Sequence, residues 1–202
     1  MVSQLIKTGS LESRNENIHQ DLIDACRRGD RNAQFKLYKL YYKAMFNTSL
    51  RIVNDTAETE DIMQESFLDA FQRLDSYAGQ GSFGSWLKRI VVNNSIDSLR
   101  RVRDTVSIEQ AGIDLPEEQD DHSEADIRFR VEEVIKAIRQ LPEEYRVIVS
   151  LFLLEGYDHD EISGILDISN QLSRTRYSRA RQKLLLILKE NSYHNVFNYN
   201  QR

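Results

Sequence analysis

Apolar residues along this chain recur mostly at intervals of three and four, the spacing that places side chains on one face of an α-helix. The first such stretch spans residues 21–26 and runs into Arg27, Arg28, Gly29 and Asp30, where Gly suits a helix C-terminus and Asp an N-cap. Phe35, Leu37, Tyr38, Tyr41, Tyr42, Met45 and Phe46 then mark a long amphipathic helix continuing to about Val53. Asn54 and Asp55 supply a turn. Asp55 and Glu58 have capping-box spacing and open a third helix whose apolar stripe is Met63, Phe67, Ala70, Phe71 and Leu74. Residues 75–82 hold glycines without periodicity and read as a loop. Phe83, Trp86, Leu87 and Ile90 begin a fourth helix that reaches about Arg103.

The pattern changes over residues 104–126, where Asp104, Glu109, Asp114, Glu117, Glu118, Asp120, Asp121, Glu124 and Asp126 accumulate without Lys or Arg. Like charge with little to bury predicts an extended or mobile linker. Periodicity resumes with Phe129, Val131, Val134, Ile135 and Ile138, in a helix ending at Leu141 before Pro142, a residue suited to the first position of the next helix. Residues 142–156 form a strongly apolar helix stopped by Gly156. Asp158 and Glu161 make a second capping-box pattern before a short helix. Asp167, Ile168 and Ser169 form a tight turn, with Ser169 as N-cap of a last helix reaching about Lys189. Helix, three-residue turn, helix is the helix-turn-helix pattern. The expected fold is therefore all-α: two small helical domains joined by a flexible acidic linker, the second a helix-turn-helix. The divisions are a polar tail at 1–17, a first domain at 18–103, the linker at 104–126, the second domain at 127–189 and a C-terminal tail at 190–202.

Composition agrees: 8 Gly and 2 Pro among 202 residues favour helices over a turn-rich β fold. The net charge of -5 argues, as an average, against a protein that coats nucleic acid. The acids, however, concentrate mid-chain, and the arginines gather elsewhere. The single cysteine, Cys26, leaves no disulfide framework and reads as a small core residue. No apolar run approaches the roughly 20 residues needed to cross a bilayer, and residues 1–17 lack an apolar secretory core, so a cytoplasmic protein without membrane association is expected. His19, His122, His159 and His194 are scattered, with no metal-ligand cluster and no Gly-rich phosphate loop. No enzyme, metal or cofactor is expected.

The last helix carries the most chemistry. Arg174, Arg176, Arg179, Arg181 and Lys183 surround an element whose apolar contacts lie mainly at Tyr177, Ala180 and Leu184 onward. Its first turn offers free N–H groups to a phosphate, and its arginines can neutralise phosphates or read guanine edges in a major groove. A solvated basic face would account for the same residues on an isolated helix. The short helix and tight turn before it favour DNA. Ser169, Asn170, Gln171, Ser173, Arg174, Arg176, Tyr177, Arg179 and Arg181 are the candidate contacts.

LPEEYRVIVSLFLLEGYDHDEISGILDIS (141–169) followed by SRARQKL (178–184) resembles the C-terminal promoter-binding domain of sigma factors of the extracytoplasmic-function type, within the sigma-70 family. GDRNAQFKLYKLYY, ETEDIMQESFLDAF and FGSWLKRIVVNNSIDSLRR resemble the polymerase-binding and minus-ten-binding domain of the same family. The resemblance implies a protein that attaches to core RNA polymerase, through the clamp helices of the largest subunit and the flap, and directs it to promoter DNA for melting and initiation. It assigns Asp61, Gln64, Glu65 and Asp69 of the third helix to the polymerase, where the residues alone would read as a solvated acidic face. It places capture of a flipped minus-ten base at the 75–82 loop and the following helix start. Tyr77 and Trp86 are the candidates there: Phe83 and Trp86, three apart, read as core supports, and loop Tyr77 as freer to stack. Arg89, Asn93, Asp97 and Arg100 fall on one stripe beside Arg101 and form the proposed upstream minus-ten contact. The acidic linker would thread the polymerase cleft, although a plain tether fits it equally. An anti-sigma factor is a further partner that the family allows.

Two departures stand out. The family commonly has Thr where this chain has Leu172, between Gln171 and Ser173, so minus-thirty-five reading is altered, or Leu172 packs on thymine methyls or on the partner helix. Asp167 replaces a usual turn Gly, which Asp tolerates. Weak upstream reading would leave room for another DNA-bound protein that targets this chain to its site. The competing function is a polymerase-independent helix-turn-helix regulator with an N-terminal interaction domain. It explains only the C-terminal half.

Overall fold

The computed structural model describes residues 19–79, 81–105 and 125–199, and every regular element among them is a helix. In the N-terminal half, α1 (Gln20–Arg27) packs on α2 (Arg31–Val53). Asp30 caps α2 by accepting from the N–H groups of Asn32 and Ala33 at 2.8 and 3.2 Å. Asn54 ends it in the left-handed region at φ 62°. Asp55 opens α3 (Thr56–Gln72) by accepting from Glu58 N–H at 2.8 Å. Only that half of the expected capping box forms. The Glu58 carboxylate accepts instead from the Ser98 hydroxyl at 2.5 Å, so a tertiary contact replaces the local one and ties α3 to α4 (Phe83–Thr105). Leu37, Met45, Met63, Phe67, Phe83, Leu87 and Val91 fill the centre of this domain, with Cys26 buried beside them as expected. α2 and α4 meet through the buried serines Ser49 and Ser95, whose Oγ atoms lie 2.9 Å apart. Such small side chains bring the two helix backbones close.

The C-terminal half contains α5 (Ala125–Arg139), α6 (Glu143–Val149), α7 (His159–Leu166) and α8 (Asn170–Tyr199). Pro142 occupies the N-cap of α6, one place before the expected position. The apolar helix expected to run to Gly156 passes into a π-helical turn at Ser150–Leu154, closed by Glu155 N–H donating to Ser150 O at 3.0 Å. The Asp158–Glu161 capping box forms in full. Asp167 takes the left-handed conformation, φ 54°, that the turn needs. α8 extends ten residues beyond its expected end at Lys189, over sequence that contains no Gly or Pro to stop it.

Rather than standing apart, the two domains share a seam. Ile52, Val53, Ile62, Val92, Ile96 and Leu99 from the first half form one buried cluster with Ile138, Leu141, Val147, Ile148, Leu151 and Ile162 from the second. Sequence periodicity marks such residues as apolar without saying whether their partners lie in the same domain. Of the expected linker, 106–124 lies outside the described residues, while 104–105 and 125–126 belong to α4 and α5. The expected N-terminal tail, 1–17, also lies outside them.

Candidate nucleic-acid and protein interfaces

On α3, Asp61, Gln64 and Glu65 are exposed, opposite the buried Ile62, Met63, Ser66 and Phe67. Asp69 is more engaged. Its carboxylate accepts from the Asn94 side chain at 3.3 Å and lies 3.9 Å from Arg73. Glu65 pairs with Arg101 of α4 at 3.5 Å, which joins the acidic face to the basic end of the neighbouring helix. Leu68 is 59% exposed on the same face. Asp61, Gln64, Glu65 and Leu68 follow i, i+3, i+4, i+7 spacing, so an apolar residue on a polar stripe was visible in the sequence and was passed over. An exposed leucine framed by acids suits a protein partner better than nucleic acid.

The loop after α3 reverses the expected roles of its aromatic residues. Tyr77 is 3% exposed. Its ring packs on Phe83 and Trp86 with centroids 5.6 and 5.5 Å away, and its hydroxyl donates to Gly81 O at 2.7 Å. Arg27 donates to the Tyr77 carbonyl at 2.6 Å. Tyr77 is therefore pinned as a support rather than left free in the loop. Gly79 and Gly81, at φ 74° and 90°, let the chain fold back over the ring. Phe83 is buried as expected, and Trp86 is the half-buried member of the trio.

Arg89, Asn93, Asp97 and Arg100 form one exposed stripe on α4, with Arg101 beside it. Arg100 donates to Asp97 at 3.1 Å and to the Ile165 carbonyl of α7 at 3.2 Å. With Gly164–Asp167, the stripe's C-terminal part encloses a cleft of about 530 Å3 between the two domains.

On α8, Ser169 caps the helix by accepting from Leu172 N–H at 3.1 Å. Gln171, Leu172, Arg174, Arg179 and Arg181 face solvent. The Asn170 side chain donates to Asp160 at 2.5 Å and accepts from Arg174 Nε at 2.7 Å, which holds the start of the helix against α7. Ser173 and Tyr177 point inward. Ser173 is buried with its Oγ 2.9 Å from His159 Nδ1, and Tyr177 stacks on Phe152 at 4.4 Å. They orient the helix rather than extend its outer face. Arg176 lies half-buried, 3.6 Å from Glu144. Leu172, 39% exposed, is not packed away against a partner helix. Thr175, exposed one turn further on, was missed. Its hydroxyl donates to Gln171 O at 2.8 Å.

Burial pushes the His159 imidazole below its usual range. The Arg174 charge adds to this, against the pull of Asp158 and Asp160. The neutral ring fits its place, stacked on Phe152 at 4.6 Å beside Tyr177.

The family model for sigma-70 region 2 matches residues 37–105, and that for sigma-70 region 4 matches residues 131–184. The chain is 30% identical to the ECF RNA polymerase sigma-E factor of Salmonella typhimurium over 175 residues, covering 82% of this chain and 91% of that one. It is 29% identical to the RNA polymerase sigma-H factor of Pseudomonas aeruginosa, with the same coverage. Its fold resembles that of the sigma factor RpoE in complex with the anti-sigma factor NepR from Bartonella quintana. There the TM-score is 0.54 at 22% identity, over 76% of this chain and 95% of that one. With both regions matched in order and relatives aligned along most of the length, the chain belongs to the ECF RNA polymerase sigma factors of the sigma-70 family.

Proposed function

We propose that this sigma factor binds core RNA polymerase through the exposed face of α3 and positions promoter DNA through α4 and α8. The observation that carries this reading is the separation of three chemically different faces on one helical scaffold. Asp61, Gln64, Glu65 and Leu68 give an acidic surface with an apolar centre, matched to a basic and apolar protein surface. Arg89, Asn93, Asp97, Arg100 and Arg101 give a mixed stripe suited to a melted strand, with Trp86 as the accessible aromatic for base stacking. Gln171, Leu172, Arg174, Thr175, Arg179 and Arg181 give a basic outer face on the second helix of a helix-turn-helix, suited to a major groove. The protein acts as an initiation factor in the cytoplasm without catalysing a reaction itself.

Minus-thirty-five reading follows from the same face. Leu172 brings an apolar side chain where the family commonly has a hydroxyl, and its exposure supports contact with thymine methyl groups. The test is promoter-dependent initiation by purified core polymerase with and without the chain. Loss of core binding on charge reversal at Asp61 and Glu65, with helicity unchanged, is the expected result. Full initiation by that variant would overturn the α3 assignment. The anti-sigma partners that the similar RpoE structure contains are a further class that the α3 and α4 surfaces could accept.

A further inference from the structure

The outer face of α2 belongs to none of the three faces described above. Phe35 is one of the apolar positions that predict this helix, yet its side chain is 57% exposed, and Leu40 is 52% exposed. Lys36, Lys39 and Lys43 face solvent with them. At about 100° per residue, the three lysines fall between Phe35 on one edge and Leu40 on the other, about 140° away. The face is thus a cationic ridge bordered by apolar side chains, and it runs about 12 Å along the helix.

We propose that this face of α2 docks an acidic amphipathic helix of another protein, one whose carboxylates form a row with apolar side chains on either side.

Charge carries the choice of partner. Residues 31–53 contain no Asp or Glu, so Lys36, Lys39 and Lys43, spaced three and four apart, meet only like charge along their own helix, which weakens it. None of the ion pairs among the described residues uses these lysines. In a chain of net charge -5, such an uncompensated ridge is fitted to an anionic surface. The apolar edges decide which anion. A nucleic acid would meet the lysines and leave Phe35 and Leu40 without an apolar partner. Its bases would also find one face of the Phe35 ring already covered, because Lys39 Nζ lies 4.7 Å from the ring centroid. A row of carboxylates bordered by apolar groups satisfies the ridge and both edges together. A second copy of this chain fits less well, since Leu68 on its acidic α3 lies between Gln64, Asp61 and Glu65 and would be set against the lysine ridge. Two helices meeting over so short a face bury less than the roughly 1,200 Å2 of a stable complex, so the contact is weak and exchanges readily.

This inference stands apart from the assignments of α3, α4 and α8. The probe is a labelled synthetic peptide of about 18 residues, long enough to hold a helix, with glutamates in one row and leucines on both sides. It is titrated into the full chain by fluorescence anisotropy, against a control of the same composition scrambled to remove the helical period. Saturable binding is expected, weakened at least about tenfold by K36E, K39E and K43E together and about threefold by F35A or L40A. R174A with R179A should leave it unchanged. Because all five α2 side chains face solvent, their variants should keep the parent's helicity and its promoter-dependent initiation with core polymerase. Equal binding of the scrambled peptide, indifference to the lysine reversals, or loss of binding in the R174A and R179A variant would each overturn the proposal. Three other results would also overturn it by naming a different occupant. Initiation abolished by the lysine reversals would assign the face to polymerase. A single-stranded oligothymidylate whose binding falls as far as the peptide's would make it a nucleic-acid site. A parent dimer in sedimentation that the lysine reversals dissolve would assign it to a second copy.

Discussion

Replacing Arg146 with Met keeps most of the aliphatic packing and removes the guanidinium, which isolates its polar contribution. In the structure Nε and Nη2 reach Ile52 O, and Nη2 also reaches Val53 O, all at 3.3 Å. These carbonyls end α2, where the helix dipole is negative and few intrahelical donors remain. Hydrogen bonds from a charged donor contribute about 1.5–3 kcal/mol each, and the 3.3 Å distances put these at the weak end. Two acceptors left without their donor cost about 3 kcal/mol. Relief from burying the guanidinium, whose pKa burial pushes down, offsets part of that. A net 2–3 kcal/mol is roughly a 30- to 150-fold shift. Because Arg146 and its acceptors lie in different domains, the loss should fall on docking rather than on either domain's folding. Small-angle scattering should show a radius of gyration rising above that of the parent chain, and calorimetry should resolve a broadened or double transition. A single transition with the parent midpoint and an unchanged radius would refute the reasoning.

Three further outcomes follow from local geometry. His159 titrates below its usual value near 6.5, so the folded chain binds fewer protons there than the unfolded one. Its contribution is complete above the unfolded value and is lost as pH falls through the lower folded value. Between pH 7 and 5.5 the parent Tm should therefore drop further than that of His159→Gln, and equal slopes would count against this placement. At Asn54, φ 62° makes Asn54→Ala cost about 1 kcal/mol in chemical denaturation while Asn54→Gly stays close to parent. On α8, replacing exposed Arg174 and Arg179 together with Ala should weaken duplex binding and reduce the salt dependence by about one unit per lost phosphate contact. Arg176→Ala, which loses the Glu144 pairing, should change that slope less.

Helix order, the three capping aspartates and the helix-turn-helix were legible because each depends on nearby residues: Asp30, Asp55 and Asp158 bond groups two or three positions away. The candidate sites were legible as faces but less so as individual roles. Tyr77 sits in a loop with glycines, which reads as freedom, yet its hydroxyl and carbonyl are both fixed, the latter by Arg27, fifty residues away. Ser173 and Tyr177 lie between arginines and share their apparent face until the rings of Phe152 and His159 are in place. Glu58 shows the same limit, since the spacing foretold a capping box and Ser98 took its carboxylate. Glu155, which pairs with Arg51 and Lys88 across the seam, and Arg146 carried no signal at all, because polar contacts between domains have no period in sequence.

The net charge of -5 now reads as a partition of the cations by task. Arg51, Lys88, Arg103 and Arg146 are committed to the seam, whereas Arg174, Arg179 and Arg181 face solvent. Under the proposed assignment α8 can meet duplex DNA as it stands, while Arg100 of the α4 stripe is held on the Ile165 carbonyl of α7, so the two faces should respond differently when the seam is loosened. Linkage requires that whatever strengthens the contact of α7 with the α4 stripe weakens engagement of that stripe by nucleic acid by the same factor. Arg146→Met and Glu155→Gln, which loosen the seam, should accordingly strengthen single-strand binding through α4 while leaving duplex binding by α8 nearly unchanged. Equal gains on both substrates would mean that opening exposes α8 as well, contrary to the outward placement of its arginines.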